Sequence, residues 1–307
     1  MIRLVLVALL VFVGSAVNAK PGVDEPVGDW SFKTDKPVKV IVAGGSVAAL
    51  SFGFGAYLER ACSNIEVVNV AKVGYSAWAV MKRFEAQVVK NPNVDPKKQE
   101  SWVIVLGGLN SVGNPEKTNY DIMSLYTLAH QNGFKVVGLT LSPWGSEKDK
   151  RWAGFTGVGR QNNTQKAADF VMGRLSPEVA LGKYAEGRTG WHASELPDIA
   201  VDLYDSPLRD KDAELRPAGP LERSFDKDKD MQKLMAKVPE GQQKAERARL
   251  IEQARALPRW YLRPELHSFD HIHPKKEGHE IIAGQICVKV PKSWGCDCSS
   301  LNLGDGK

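Results

Sequence analysis

The chain has 307 residues, of which 43% are hydrophobic and 25% charged, with a formal net charge of +5. That length suits one α/β domain carrying an insertion. So mild and dispersed a charge lacks the concentrated basic stripe of a nucleic-acid binder, and no nucleic-acid partner is expected.

Residues 1–19 read as a secretory leader. Arg3 gives a basic start, residues 4–13 are an unbroken apolar stretch, and Val17 and Ala19 flank Asn18 as compact residues before Lys20. The stretch is shorter than the roughly 18 to 20 residues a membrane span needs, so a cleaved leader is expected rather than a retained anchor. Export to a periplasmic or extracellular space would leave residues 20–307 as a single domain with no integral membrane segment. In an oxidising compartment Cys62, Cys287, Cys296 and Cys298 allow three full pairings. Cys296 and Cys298 are too close in sequence for an unstrained mutual bridge, which leaves a tie from this tail to Cys287 or Cys62, or free buried thiols. No histidine stands near them at metal-ligand spacing, so no metal site is expected.

Short apolar runs alternate with helical patterns along the rest of the chain. Strands are expected over 38–43, 65–70, 102–106, 135–141 and 199–203, and helices over 47–60, 77–89, 121–132, 165–175 and 278–288. Such alternation signifies a parallel five-stranded sheet covered on both faces, a three-layer α/β/α fold. Residues 205–260 depart from it. Acidic and basic residues alternate there, Pro217 and Pro220 break the pattern, and 242–257 reads as a charged helix. We expect a helical insertion, either a solvated hairpin or one wall or lid of a cleft.

In open sheets of this kind ligands bind beyond the carboxyl ends of the strands. The first strand runs into Gly44-Gly45-Ser46, the second is followed by Gly74, the third by Gly108-Leu109-Asn110, and near the C-terminus stands Asp270-His271-Ile272-His273-Pro274. A serine hydroxyl is a weak nucleophile unless a base takes its proton, and an imidazole works best when a carboxylate fixes its tautomer. Ser46, His273 and Asp270 are those three residue types. Taken singly, Ser46 could be a helix N-cap, Gly74 a turn glycine, Asn110 a left-handed turn residue, and Asp270 part of an Asx turn. Their joint order after successive strands argues for chemistry. His271 is assigned to structure or the cleft rim, and His192, His267 and His279 to surface or packing.

These motifs occur in the order of the four sequence blocks of SGNH (GDSL-type) hydrolases, which the chain resembles from Lys39 to Gln285. Two positions depart from the family pattern. Gly45 replaces the usual Asp, and Ser111 stands where Asp commonly follows the Asn; both departures bear on hydrogen bonding around the nucleophile turn rather than on the catalytic set. The resemblance implies Ser46 as nucleophile, His273 as general base and then acid, and Asp270 as its orienting carboxylate. It implies an oxyanion hole of the Ser46 and Gly74 backbone N–H groups and the Asn110 side-chain amide, with no metal and no organic cofactor.

The expected activity is therefore that of an exported serine ester hydrolase acting on a small-molecule or glycan ester, with a carbohydrate O-acetyl ester foremost. Trp78, Trp144, Trp152 and Trp191, near expected loops, offer aromatic faces for sugars. Lysophospholipid, thioester or other small-ester hydrolysis is an alternative, as is a non-catalytic carbohydrate-binding protein on the same fold. A dinucleotide-binding reading of residues 42–48 fails on glycine spacing, because a third glycine would be needed near Ala49, and on the missing acid near Asn69. The sequence does not set the oligomeric state.

Overall fold

A computed structural model describes residues 25–304. The leader assigned to residues 1–19 lies outside them. Five strands, β1 (Val38–Gly44), β2 (Ile65–Asn69), β3 (Glu100–Leu106), β4 (Lys135–Leu139) and β5 (Ile199–Val201), form one sheet in the order β2-β1-β3-β4-β5. All four pairings are parallel. This is the doubly wound order of flavodoxin-like folds, with helices on both faces and the switch point at β1 and β3.

The alternation of side chains along each strand sorts the interior into two cores. Val38, Val40 and Val42 of β1, with Trp102, Ile104 and Leu106 of β3, face helices α1 (Phe54–Ala61) and α9 (Lys276–Cys287) through Phe54, Leu58, Ile282 and Ile286. On the other face Ile41, Ala43, Val103 and Val105 meet Val80 and Phe84 of α2 (Ala77–Phe84), Ile122 and Tyr126 of α3 (Pro115–Gln131), and Phe170 of α4 (Thr156–Val171). At the amino end of the sheet Lys39 and Glu66 form a buried ion pair at 2.8 Å. Among the described residues no helix is long and apolar enough to cross a membrane.

Several boundaries differ from the sequence reading. The helix expected over 47–60 starts only at Phe54. Ala48 gives its carbonyl to the Asn69 amide at 2.7 Å instead of continuing a helix, and the chain turns again at Leu50 before Gly53, in extended conformation, opens α1. Ser46 thus lies in a turn, not at a helix N-terminus. The strands expected over 135–141 and 199–203 stop at Leu139 and Val201 because the Thr140 hydroxyl accepts the Leu203 and Tyr204 N–H groups, both at 2.8 Å, and replaces the backbone ladder. Helix α3 begins six residues ahead of 121, with Asn114 as its cap and Pro115 in the first turn, where the missing N–H of proline costs nothing. The helix expected over 77–89 changes to π-helical winding at Glu85–Val89, and α4 starts nine residues before 165 through a polar run that hides its periodicity.

Residues 205–260 carry three short-to-medium helices, α6 (Ala218–Phe225), α7 (Lys229–Met235) and α8 (Glu240–Arg255). They hold a small core of their own, in which Leu221, Phe225, Ile251 and Ala254 surround Phe155 at the start of α4. Arg216, buried, pins the segment by donating to the Trp152 and Gly154 carbonyls at 2.6 and 3.0 Å. The remaining helix, α5 (Pro177–Leu181), precedes β5. The cysteines pair as Cys62–Cys296 and Cys287–Cys298, so the tail is tied to both partners left open by the sequence.

Candidate active site

β1 delivers Ser46 through a turn that tolerates no side chain at Gly44. A Cβ there would lie 2.3 Å from the Leu106 carbonyl oxygen and 2.7 Å from the Ala48 Cβ. The turn therefore rests directly on the end of β3. Gly45 N–H donates to the Leu106 carbonyl at 3.1 Å, and the Ala48 and Ala49 N–H groups return to the Gly45 carbonyl at the same distance. Ser46 sits at the crest, partly exposed.

The second half of the site arrives on the loop before α9. The Ser46 hydroxyl donates to His273 Nε2 at 2.6 Å, and His273 Nδ1–H donates to Asp270 Oδ2 at 2.5 Å. Three residues named from the sequence thus form one hydrogen-bonded chain. The other carboxylate oxygen, Oδ1, accepts the Ile272 and His273 backbone N–H groups, both at 3.0 Å, and the Ser268 hydroxyl at 2.6 Å. Partial burial pushes the Asp270 carboxyl upward, but these donors outweigh it and hold the group well below the usual carboxylate range. Asp270 is an Asx turn and an imidazole partner at once, because each oxygen takes one task.

Gly74 and Asn110 close in from the ends of β2 and β3. Gly74 has φ +81°, a conformation costly for a residue with a Cβ. Asn110 Nδ2 donates to the Tyr75 carbonyl at 3.2 Å. A primary amide carries two N–H donors, so a second remains for a ligand. A Cβ placed on Gly45 would lie 3.4 Å from the Tyr75 carbonyl oxygen and 3.7 Å from Asn110 Nδ2, which puts both loops against the turn that carries Ser46. Among the described residues the Ser46 and Gly74 N–H groups have no protein acceptor.

Ser268 had no assigned role in the sequence reading, which gave His271 to structure or the cleft rim and His267 and His279 to surface or packing. Ser268, two positions before Asp270, fixes the carboxylate. His271 takes a left-handed conformation, φ 58°, and its Nδ1 lies 3.2 Å from Nδ1 of His267, whose Nε2–H donates to the Leu262 carbonyl at 2.7 Å. Burial, and the nearby His271, lower the His267 pKa, so a neutral His267 accepts from His271 and stiffens the loop. Ser268 and the His267/His271 spacing were visible as residue types, but only the turn geometry gives them partners. His279 is fully buried against Phe54, ring centroids 6.4 Å apart, and is a packing residue.

Two of the four tryptophans offered for sugar stacking are corrected. Trp144 and Trp152 pack edge to face at 4.9 Å in a closed cluster with Tyr261, 1% and 0% exposed. Trp191 is half-buried and donates its indole N–H to the Leu175 carbonyl. Trp78 is the one of the four that is exposed. Large aromatics placed between apolar neighbours go inward, whatever the loop assignment around them.

No family model matches the chain, and no curated protein matches it. Among solved structures it is similar to a GDSL-like lipase from Bacteroides thetaiotaomicron, at 16% identity over 82% of this chain and 86% of that one, TM-score 0.42. A lipase/acylhydrolase from Enterococcus faecalis gives 16% identity over 81% and 92%, TM-score 0.41. A catalytic mutant of an acetylxylan esterase from Geobacillus stearothermophilus gives 14% identity over 90% and 98%, TM-score 0.43.

Proposed function

We propose that this chain is an SGNH-type serine ester hydrolase, exported from the cell, whose substrate is a carbohydrate O-acetyl ester. The observation that carries the reading is the unbroken hydrogen-bonded chain from the Ser46 hydroxyl through the His273 ring to the Asp270 carboxylate.

In the reaction Ser46 Oγ attacks the ester carbonyl carbon while its proton passes to His273 Nε2. Asp270 stabilises the resulting imidazolium and holds the ring in the tautomer with its proton on Nδ1. Negative charge collects on the former carbonyl oxygen, where the Ser46 and Gly74 N–H groups and the free Asn110 amide hydrogen receive it. Each such donor lowers the barrier by about 3 kcal/mol. Collapse breaks the ester C–O bond, and His273 returns the proton to the departing alcohol. Water, deprotonated by the same ring, then releases the acid and restores Ser46.

The acyl group is limited by a cleft beside Ser46. Gly45, Ser46, Val47, Leu106, Gly108, Leu109, Leu141 and Ser142 line a narrow cleft there. Its walls of Val47, Leu106, Leu109 and Leu141 suit a short acyl group such as acetyl better than a long chain. For the alcohol, the exposed Trp78, four residues past Gly74, offers a face on which a sugar can stack.

The test is hydrolysis of nitrophenyl acetate and of acetylated oligosaccharide by the mature protein, with covalent labelling by a fluorophosphonate located by mass spectrometry. Turnover and a label on Ser46, both lost in Ser46→Ala, are expected. A protein that neither hydrolyses short esters nor takes the label is not an esterase, and the fold then serves binding.

A further inference from the structure

The segment before β1 is not a tether but a docked strap. Gly28 N–H donates to the Ala86 carbonyl at 3.1 Å, Gln87 Nε2 donates to the Pro26 carbonyl at 2.7 Å, and Asn91 Nδ2 to the Trp30 carbonyl at 2.9 Å. Farther along, the Thr34 N–H and hydroxyl both bond the Glu66 carboxylate. The strap therefore has a fixed register on α2 and its π-helical extension. At its start that register lays Glu25, nearly buried, against the loop that carries Gly74.

The Glu25 carboxylate accepts the Tyr75 hydroxyl on one oxygen and Arg83 Nη1, at 2.6 Å, on the other, with Lys72 Nζ 3.7 Å away. Arg83 Nε also donates to the Val70 carbonyl at 2.6 Å. One acid thus gathers both ends of the 70–76 loop. The same loop holds the site from the other side, since the Lys72 N–H donates to the Gly44 carbonyl at 3.0 Å and the Tyr75 carbonyl accepts Asn110 Nδ2. Partial burial raises the Glu25 pKa, and the Tyr75 and Arg83 hydrogen bonds more than reverse this, so the group is an anion at neutral pH.

We infer that Glu25 is a positioning residue for the oxyanion hole: through Tyr75, Arg83 and Lys72 it fixes the loop that presents the Gly74 N–H and orients the Asn110 amide. Its removal leaves a phenol without its acceptor and two cations unpaired beside that loop. Oxyanion donors act by being in place before charge develops, so a loop released by a fraction of an ångström loses turnover more than ground-state binding. The incidental alternative, an ion pair on a loose terminus, does not account for the docked register or for the near-burial of the carboxylate. This inference rests on the esterase reading above.

The test compares the mature parent with Glu25→Ala, Glu25→Gln and Tyr75→Phe on nitrophenyl acetate, with kcat and KM separated and Tm recorded. Expected is a fall in kcat of about tenfold or more in Glu25→Ala with KM within about twofold, a partial recovery in Glu25→Gln, whose amide oxygen can still accept from Tyr75, and a smaller fall in Tyr75→Phe at nearly parental Tm. If Glu25→Ala does not fold, Tyr75→Phe and Glu25→Gln decide the matter. Parental kcat in the folded variants, or a loss that tracks only the folded fraction, overturns the positioning role and leaves the esterase reading intact. An inactive, unlabelled parent overturns both.

Discussion

The Ser111 hydroxyl accepts the Ala77 backbone N–H at 3.1 Å and donates to the Gly108 carbonyl at 3.2 Å. It joins the first turn of α2 to the loop that carries Asn110, so the residue found where SGNH hydrolases commonly have Asp still works as a brace. Ser111→Ala leaves the Ala77 N–H unpaired and frees the Asn110 loop. We expect a loss of about 1 kcal/mol in stability and about tenfold in kcat. Ser111→Asp keeps the acceptor for Ala77 and should retain more activity than the alanine variant. Equal rates in parent and Ser111→Ala would remove the brace from the mechanism.

Leu141 closes the cleft beside Ser46, and one of its methyl groups lies 4.0 Å from the position a Cβ on Gly108 would take. Leu141→Ala opens room for three more carbons. In a series of nitrophenyl acetate, butyrate and hexanoate, the parent should fall steeply with acyl length, and the variant should shift toward butyrate by about tenfold relative to acetate, the selectivity that one or two methylenes usually carry. An unchanged length profile would place the acyl group elsewhere.

Asp270→Asn keeps an oxygen for the Ile272 and His273 N–H groups, so the loop should hold. The ring, however, would face an amide and lose both its charge partner and the tautomer that lets Nε2 accept from Ser46. A fall in kcat of about a thousandfold or more is expected, less severe than Ser46→Ala, with circular dichroism unchanged. Parental kcat in a folded Asp270→Asn protein would contradict the role assigned to the carboxylate.

His279 predicts an acid limb in the stability curve. Both ring nitrogens are buried without a partner among the described residues. Burial, and then the charge on His273, bring its pKa from 6.5 down to about 4. The unfolded chain therefore takes up a proton first, and stability is complete above pH 6.5 and declines as the pH falls through 4, by about 3 kcal/mol in all. Denaturant midpoints measured from pH 7 to pH 4 should show this slope, and His279→Leu should flatten it. A slope unchanged by the substitution would assign the acid sensitivity to other groups.

The sheet and the two loops beside it were legible because strands buried on both faces are short, β-branched apolar runs and because Gly44 and Ser46 follow the first of them. Asp270 and His273 were legible from their three-residue spacing. What stayed hidden depends on partners distant in sequence. Nothing near Thr140 announces that its hydroxyl will end two strands, and nothing near Ala48 announces that Asn69 will take its carbonyl and delay α1. Trp144 and Trp152 were misplaced for the same reason. Burial of an indole is decided by Tyr261, more than a hundred residues away.

Ser46 and His273 are separated by 227 positions, and the Cys62–Cys296 bridge spans 234. The bridge and the triad thus join the same two ends of the polypeptide, across β1 on one side and α9 on the other. Until the C-terminal part of the chain is in place, the Ser46 hydroxyl lacks its hydrogen bond to His273. Assembly of the hydrogen-bonded chain is accordingly coupled to the docking of α9 and the loop before it.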